Sequence, residues 1–445
     1  MKKSLFAVAA LSAIAGAAQA QSSVTVYGLM DMGYVGANTK AVTAAGVTTK
    51  TQVSQFGQSQ EQTSRLGFKG TEDLGGGASA FFTVEMGLTP QNSNLSGGTS
   101  RDGAQYNQNN GGSAIDNRQS FVGLKKNGIG QFAFGRQYTP IFNAGAATDA
   151  SQYANVAGNV IYNGSAVAGQ DASGGNSGST NTAFTNRADN MISASSDKFA
   201  GFGVSGMYAL NNQNATQFQT PAAGVAVGST ASSSTAGGNT NWNGWGLSAD
   251  YTWQKLYLTV AYQSFKTQYS NPITTGAASN INVGNGVTSG TPVSATTVLY
   301  PTNLTSDKQT YVGGTYDFGI LKAYAQWVGR KVQGDSAYAS TATTFATGTQ
   351  LNRTAQQIGV RSYITPTIEA WASVGNGKYT GPVTTAGTPA SVSFFGYQLG
   401  SNYYLSKRTN LYAIYGQAQS TSATSGVAGS GSSTNQYALG MRHTF

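Results

Sequence analysis

The residues that could do chemistry in this chain are few. Its single histidine is His443, two residues from the last position, and cysteine is absent altogether. No Ser-His-Asp arrangement can be built around a lone histidine in a terminal strand. Without cysteines there is no thiolate nucleophile, disulfide or Cys-type metal site. The glycine pair of Gly201-Phe202-Gly203 precedes no helix, so it is no dinucleotide fingerprint. The sequence therefore predicts no catalytic residue, no metal and no cofactor. What remains is charge, 25 Lys and Arg against 16 Asp and Glu, a formal +9. A nucleic-acid partner would require that charge in a patch or along a helix, whereas here it is scattered at roughly one cation per predicted strand. In Arg65-Leu66-Gly67-Phe68-Lys69 the two cations fall on one side of a strand, and Leu66 and Phe68 on the other. Such residues act on solutes by their field alone.

The elements that must hold these cations read as strands with two different faces. From Gln436 to Phe445 the chain alternates strictly, with Tyr437, Leu439, Met441, His443 and Phe445 opposite Gln436, Ala438, Gly440, Arg442 and Thr444. The same period of two runs through Val24–Tyr34, through Leu256, Leu258, Val260 and Tyr262, and through Leu321, Ala323, Ala325 and Trp327. An edge strand at the end of a chain must pair with something earlier, and closure into a barrel achieves that. Polar faces turned into a packed core would leave many groups unsatisfied, at about one to three kcal/mol each. A water-filled lumen removes that cost.

Connections alternate in length. Tight turns are expected at Glu72–Gly76, Lys126–Gly128, Ser195–Gly201, Trp253–Lys255, Asp317–Gly319, Thr365–Thr367 and Leu405–Lys407. Between them lie long polar stretches, from about Gly36 to Gln62, Thr89 to Asn117, Tyr138 to Asn186, Asn211 to Asn241, Thr267 to Asp307, Val332 to Asn352, Tyr379 to Ser391 and Ser420 to Asn435. Short turns at one end and long loops at the other are the pattern of bacterial outer-membrane barrels. Strands counted about the turns number about sixteen, a size that leaves an aqueous channel. Tyr34, Tyr208, Tyr251, Tyr316, Tyr363 and Tyr403, near strand ends, suit interfacial girdles.

Met1–Ala20 reads as a secretory signal, with Lys2 and Lys3 before an apolar run and Ala18-Gln19-Ala20 as the cleavage site, so the mature chain would begin at Gln21. No later apolar stretch is long enough for a spanning helix. With 59 glycines, 9 prolines, 24 tyrosines and 19 phenylalanines the composition suits strands and turns, and no linker divides it. Residues 21–445 are read as one domain.

Several segments together resemble the general diffusion porins of betaproteobacteria, the neisserial and burkholderial type. They are Ser64–Gly70, Glu72–Gly75, Phe121–Leu124, Gly135-Arg136-Gln137 and the tail Gly440–Phe445, with the signal sequence ahead of them. The resemblance implies an all-β fold, a 16-stranded antiparallel transmembrane β-barrel with short periplasmic turns, long extracellular loops and an inward-folded third loop, here Tyr138 to Asn186. It implies a homotrimer in outer-membrane lipid, assembled by the outer-membrane barrel assembly machinery through the terminal aromatic Phe445. It also implies a pore constriction where that loop faces a ladder of wall arginines, by position Arg65, Arg118, Arg136 and Arg187, with Lys69 sharing the parity of Arg65. Asp149 is the best acidic candidate of the loop, and Asp171 its only other acid.

The expected function is passive diffusion of ions and small hydrophilic solutes, with weak anion preference and no enzyme activity. A substrate-specific channel, or a surface adhesin or receptor on a barrel scaffold, are the alternatives. Simple alternation conflicts with two of the arginines: Arg118 shares parity with Val122 and Leu124, and Arg136 with Phe132 and Phe134. An arginine on the lipid face costs about 2 to 4 kcal/mol at the midplane. Rim positions, a bulge, or an inward-facing apolar stretch would each resolve the conflict.

Overall fold

The computed structural model describes residues 23–43, 45–91, 95–96, 115–161, 187–215, 238–270, 281–283, 287–289, 303–336, 349–383, 389–423 and 430–445. The proposed signal Met1–Ala20 with its cleavage point Ala20/Gln21, and Asp171, lie outside them.

The chain opens with β1 (Ser23–Val42), β2 (Thr48–Gln58), β3 (Arg65–Gly75), β4 (Ala78–Gly87), β5 (Asn117–Lys126) and β6 (Gly130–Tyr138). A short helix α1 (Pro140–Ala147) precedes β7 (Arg187–Ser196), β8 (Phe202–Ala215), β9 (Gly238–Trp253) and β10 (Leu256–Ser270). A separate small hairpin, β11 (Ile281–Val283) and β12 (Val287–Ser289), lies between β10 and β13 (Asn303–Asp317). The remaining strands are β14 (Lys322–Ser336), β15 (Thr349–Thr365), β16 (Ile368–Val383), β17 (Pro389–Tyr404), β18 (Thr409–Ala423) and β19 (Gly431–Thr444).

Each strand of the main sheet pairs antiparallel with its neighbours, and β1 pairs with β19 from Leu29 opposite Thr444 to Val42 opposite Gly431. That closure leaves no edge, as lipid requires. β1 also pairs with β2 from Val42 opposite Thr48 to Met32 opposite Gln58, and then with β3 from Leu29 opposite Arg65. β2 and β3 are thus two halves of one stave, and the barrel has sixteen.

The two faces differ as alternation predicts. Outward-pointing Val26, Leu258, Ile358, Leu399 and Leu439 are exposed on the bare barrel, while inward-pointing Asp31, Gln263, Gln309, Gln357 and Gln398 are buried. Six of the seven tight turns fall at the expected residues, while at Glu72–Gly76 the strands stay paired through Gly75 and the turn moves to Gly76 and Gly77; Gly128 at φ +79° supplies a backbone that an L side chain resists. At the other end the strands run further than alternation shows. The stretch from Gly36 to Gln62, read as a loop, is mostly paired strand, with Val42 already opposite Thr48. There both faces meet water, so the ladder continues although the apolar face has ended.

The wall is uneven in length. Strands β4 to β7 have 9 or 10 residues and β3, the turn-side half of its stave, has 11, about what a tilted crossing needs. From β8 onward the staves have 14 to 17.

Candidate functional site: a constriction between an arginine wall and a docked loop

The short wall carries the cations. Arg65 stands opposite Leu29, whose side chain is inward, so Arg65 and Lys69 both point into the lumen. The Lys69 ammonium sits 5.4 Å from the centre of the Tyr27 ring. Arg118 reaches the same side through an irregularity that alternation cannot show. Gln119 pairs with Glu85 and Asn117 with Met86, leaving Arg118 as the extra residue of a β-bulge. Its Nε donates to Glu85 Oε1 at 2.7 Å and its Nη2 to the Tyr138 hydroxyl at 2.7 Å.

Arg187, paired in register with Tyr138, donates to that hydroxyl at 3.3 Å, with its guanidinium carbon 4.9 Å from the ring centre. Arg65 Nε is 3.8 Å from Glu85 Oε2, and the Tyr27 hydroxyl donates to the same oxygen at 3.1 Å. Arg65 and Arg118 therefore share one carboxylate, and Arg118 and Arg187 share one phenol. Arg65 is the most open of them, with 28% of its side chain accessible against 3% for Arg118.

Arg136 is not part of this cluster. It pairs in register with Ser120, on the outward side, and β7 bulges opposite it, with Asn190 in the left-handed region. Its guanidinium pairs with Asp189, and its Nε donates to the Asn117 carbonyl at 2.8 Å. This end-of-strand ion pair lets an arginine sit on the outer face.

The third loop begins with a helix signal that strand periodicity obscures. Thr139 caps α1 by accepting from the Phe142 amide at 3.3 Å, and Pro140 occupies the first turn. Phe142 stacks on Tyr138 with ring centres 3.8 Å apart, joining the loop to the arginine wall. From Thr148 onward the loop crosses to the long wall and binds there. The Thr148 and Tyr311 hydroxyls are 2.5 Å apart, and Gln357 accepts from the Val160 amide at 3.1 Å. Gln398 Nε2 donates to the Val156 carbonyl at 2.5 Å, and the Ala157 amide to Gln436 at 3.0 Å. Ile141, Ala144, Val160 and Ile161 fill a dry cluster against Tyr311, Val328, Ala355, Tyr379 and Phe394. At Gly158, φ +108°, a Cβ would collide with the carbonyl of Tyr397, so only glycine lets the loop lie this close.

Asp149 belongs to this docking surface. It is 1% exposed and faces the wall rather than the arginines. Its oxygens accept from the Ser151 hydroxyl at 2.5 Å, the Tyr153 amide at 2.7 Å, Asn159 at 3.0 Å and Gln357 at 2.9 Å. Burial pushes its carboxyl above the usual carboxylate range. The arrangement expected from the sequence, a loop acid opposite basic walls, is replaced by an acid used as a hydrogen-bond hub behind the loop.

Two further groups hold the loop and were not singled out in the sequence. Arg361 makes a two-pronged pair with Glu369, at 2.7 and 2.9 Å, and donates its remaining nitrogen to the Ala150 carbonyl at 2.9 Å. Arg353 donates to the Val160 carbonyl. Their inward parity on β15 was the available signal. The second group is the excursion between the halves of the second stave. The Asp31 carboxylate accepts the Glu61 and Gln62 amides at 2.8 and 2.7 Å and the Tyr412 hydroxyl at 2.6 Å. The Ser59 and Gln60 carbonyls held there accept from Asn155 of the loop at 2.7 and 2.9 Å.

A family model described as Gram-negative porin matches residues 7–424. An outer membrane porin protein of Bordetella pertussis is 29% identical over the full length of both chains. The outer membrane porin protein 32 of Delftia acidovorans is 32% identical, over 48% of this chain and 51% of its own. Among solved structures, an anion-selective porin from Comamonas acidovorans superposes with a TM-score of 0.58 at 20% identity, covering 96% of this chain and 100% of that one. A closed sixteen-stave barrel with a polar lumen, an inward loop and a porin sequence match over most of its length place this chain in the Gram-negative porin family, as an outer-membrane channel.

Proposed function

We propose that this porin passes ions and small hydrophilic solutes by passive diffusion, with a preference for anions set by Arg65, Lys69, Arg118 and Arg187. The observation that carries this reading is the imbalance at the constriction. Arg65 and Arg118 share Glu85 on one wall and Arg187 joins them through the Tyr138 hydroxyl, while Asp149, the loop acid among the described residues, is turned into the opposite wall. Rings of arginine and lysine favour anions, and the lumen wall concentrates that field in a narrow section. The anion-selective porin of Comamonas acidovorans, similar in fold, is consistent with it. The docked loop sets the width, so the channel needs no energy source and no reaction.

The leader Met1–Ala20 is removed before Gln21 in this reading, and three copies assemble in outer-membrane lipid. The assembly machinery recognises the terminal strand with Phe445, whose amide and carbonyl exchange hydrogen bonds with Gly28 at 3.2 and 3.1 Å. Single-channel recording in asymmetric salt tests the selectivity. Arg65→Ala moves the reversal potential toward cations with little change in conductance. An unchanged reversal potential removes the arginine assignment, and saturation by one solute replaces general diffusion with a specific channel. Openings in groups of three report the trimer.

A further inference from the structure

The outward face of the long wall holds a feature the pore does not use. Lys266 on β10, Lys308 on β13, Lys331 on β14 and Lys378 on β16 are all exposed and all have outward parity. Each lies four residues beyond an outward apolar or aromatic residue, respectively Tyr262, Val312, Trp327 and Val374, toward the loop end. At about 3.3 Å per residue and a tilt near 40°, four residues place them roughly 10 Å above that row. This is the headgroup level of the outer leaflet.

Two of the four are direct cross-strand partners, Lys308 opposite Lys331. Like charges directly opposite destabilise a sheet, and no described carboxylate relieves them. Asp307, the sequence neighbour of Lys308, points inward and is bound by Arg330 at 2.8 to 3.2 Å. Beside Lys378 the outer wall is concave, with a cavity of about 750 Å³ lined by Thr354, Gln356, Asn376 and Gln419 and floored by Trp327 and Phe395. Amides and hydroxyls over an aromatic floor suit a polar headgroup above its acyl chains, and the lysines supply the counter-charge.

We propose that this lysine arc binds the phosphate of an outer-leaflet lipid headgroup, seated between Lys308 and Lys331 and extending over the Lys378 concavity. A lipid is the occupant because the site lies on the membrane face, at the rim of the apolar band. Free phosphate has no reason to select that height. Each basic residue near an anionic surface contributes about a fivefold preference, so neutralising the opposed pair should weaken retention by about tenfold or more.

The test is reconstitution in phosphatidylcholine nanodiscs containing a minor fraction of phosphatidic acid, followed by mass spectrometry of lipid retained by the released, folded barrel. Lys308→Gln/Lys331→Gln is compared with wild type and with Lys255→Gln/Lys407→Gln, an equal charge loss at the turn end. Strand circular dichroism and single-channel conductance establish that each variant is folded. Selective loss of phosphatidic acid in the first variant, unaffected by millimolar inorganic phosphate, supports the site. Equal retention by all three proteins overturns it. Displacement by inorganic phosphate also overturns it, showing a site for soluble anions.

Discussion

Arg65 on β3 and Arg361 on β15 carry the same guanidinium on opposite sides of one lumen. Arg361 is 8% exposed, and all three of its nitrogens are bound, two to Glu369 and one to the backbone of the loop. Arg65 keeps more than a quarter of its side chain open, and its nearest carboxylate oxygen is 3.8 Å away. A cation whose donors are all satisfied by protein positions structure, whereas one left open to water acts on what passes. Across the barrel this separates a long wall that holds the loop from a short wall that sets the field.

The sharpest way to break this comparison is to remove Arg361. Arg361→Ala leaves Glu369 buried beside Asn402 and Tyr404 without its cation, a change that costs about 3 to 5 kcal/mol. It also frees the Ala150 carbonyl from the wall. The expected outcome is a lower melting temperature of the folded barrel and a larger, noisier single-channel conductance as the loop leaves the wall. Conductance that stays at the wild-type value while the reversal potential shifts would make Arg361 a pore residue like Arg65.

Asp149→Ala comes next in size. It removes the acceptor of four donors, at about one to three kcal/mol for each that finds no substitute. Loop noise should rise and the melting temperature fall, with the reversal potential close to wild type because the carboxylate faces the wall. Were Asp149 instead the acid facing the arginines, its removal would drive selectivity toward anions without destabilising the barrel, and the two readouts would trade places.

What the sequence revealed follows the same division. The staves, the tight turns and the closing strand were legible because lipid on one face and water on the other enforce a period of two. The inward direction of Arg65 and Lys69 followed from that period. Arg118 did not, because it is the extra residue of a bulge and so reverses the parity that alternation would assign, whereas Arg136 keeps the outward parity that counting gives it and thereby leaves the constriction expected for it. Asp149 was found by charge and misplaced in direction, since a loop has no periodicity to say which way a side chain turns. The helix α1 was not anticipated within the loop, because strand periodicity carries no trace of it and the Thr139-Pro140 pair acts as cap and first turn only once the chain leaves the strand. Glu85 and Tyr138, which gather the arginines, are ordinary strand residues until the register brings them together.

The smallest expected effect tests the bulges. Arg136 and Arg118 share the same outward parity by simple counting, yet the register puts Arg118 on Glu85 inside and Arg136 on Asp189 outside. Asp189 is 46% exposed in its side chain, so the Arg136 pair contributes about 0 to 1 kcal/mol. Arg136→Ala should therefore leave the reversal potential unchanged and shift the melting temperature by a few degrees at most. Arg118→Ala, measured beside it, should move the potential toward cations, because the Glu85 charge is then balanced only by the more distant Arg65. If both substitutions moved the potential equally, Arg136 would contribute to the lumen field, and the bulge in β7 would not separate it from the pore. If neither did, the buried arginines would serve the fold, and Arg65 and Lys69 would carry the selectivity alone.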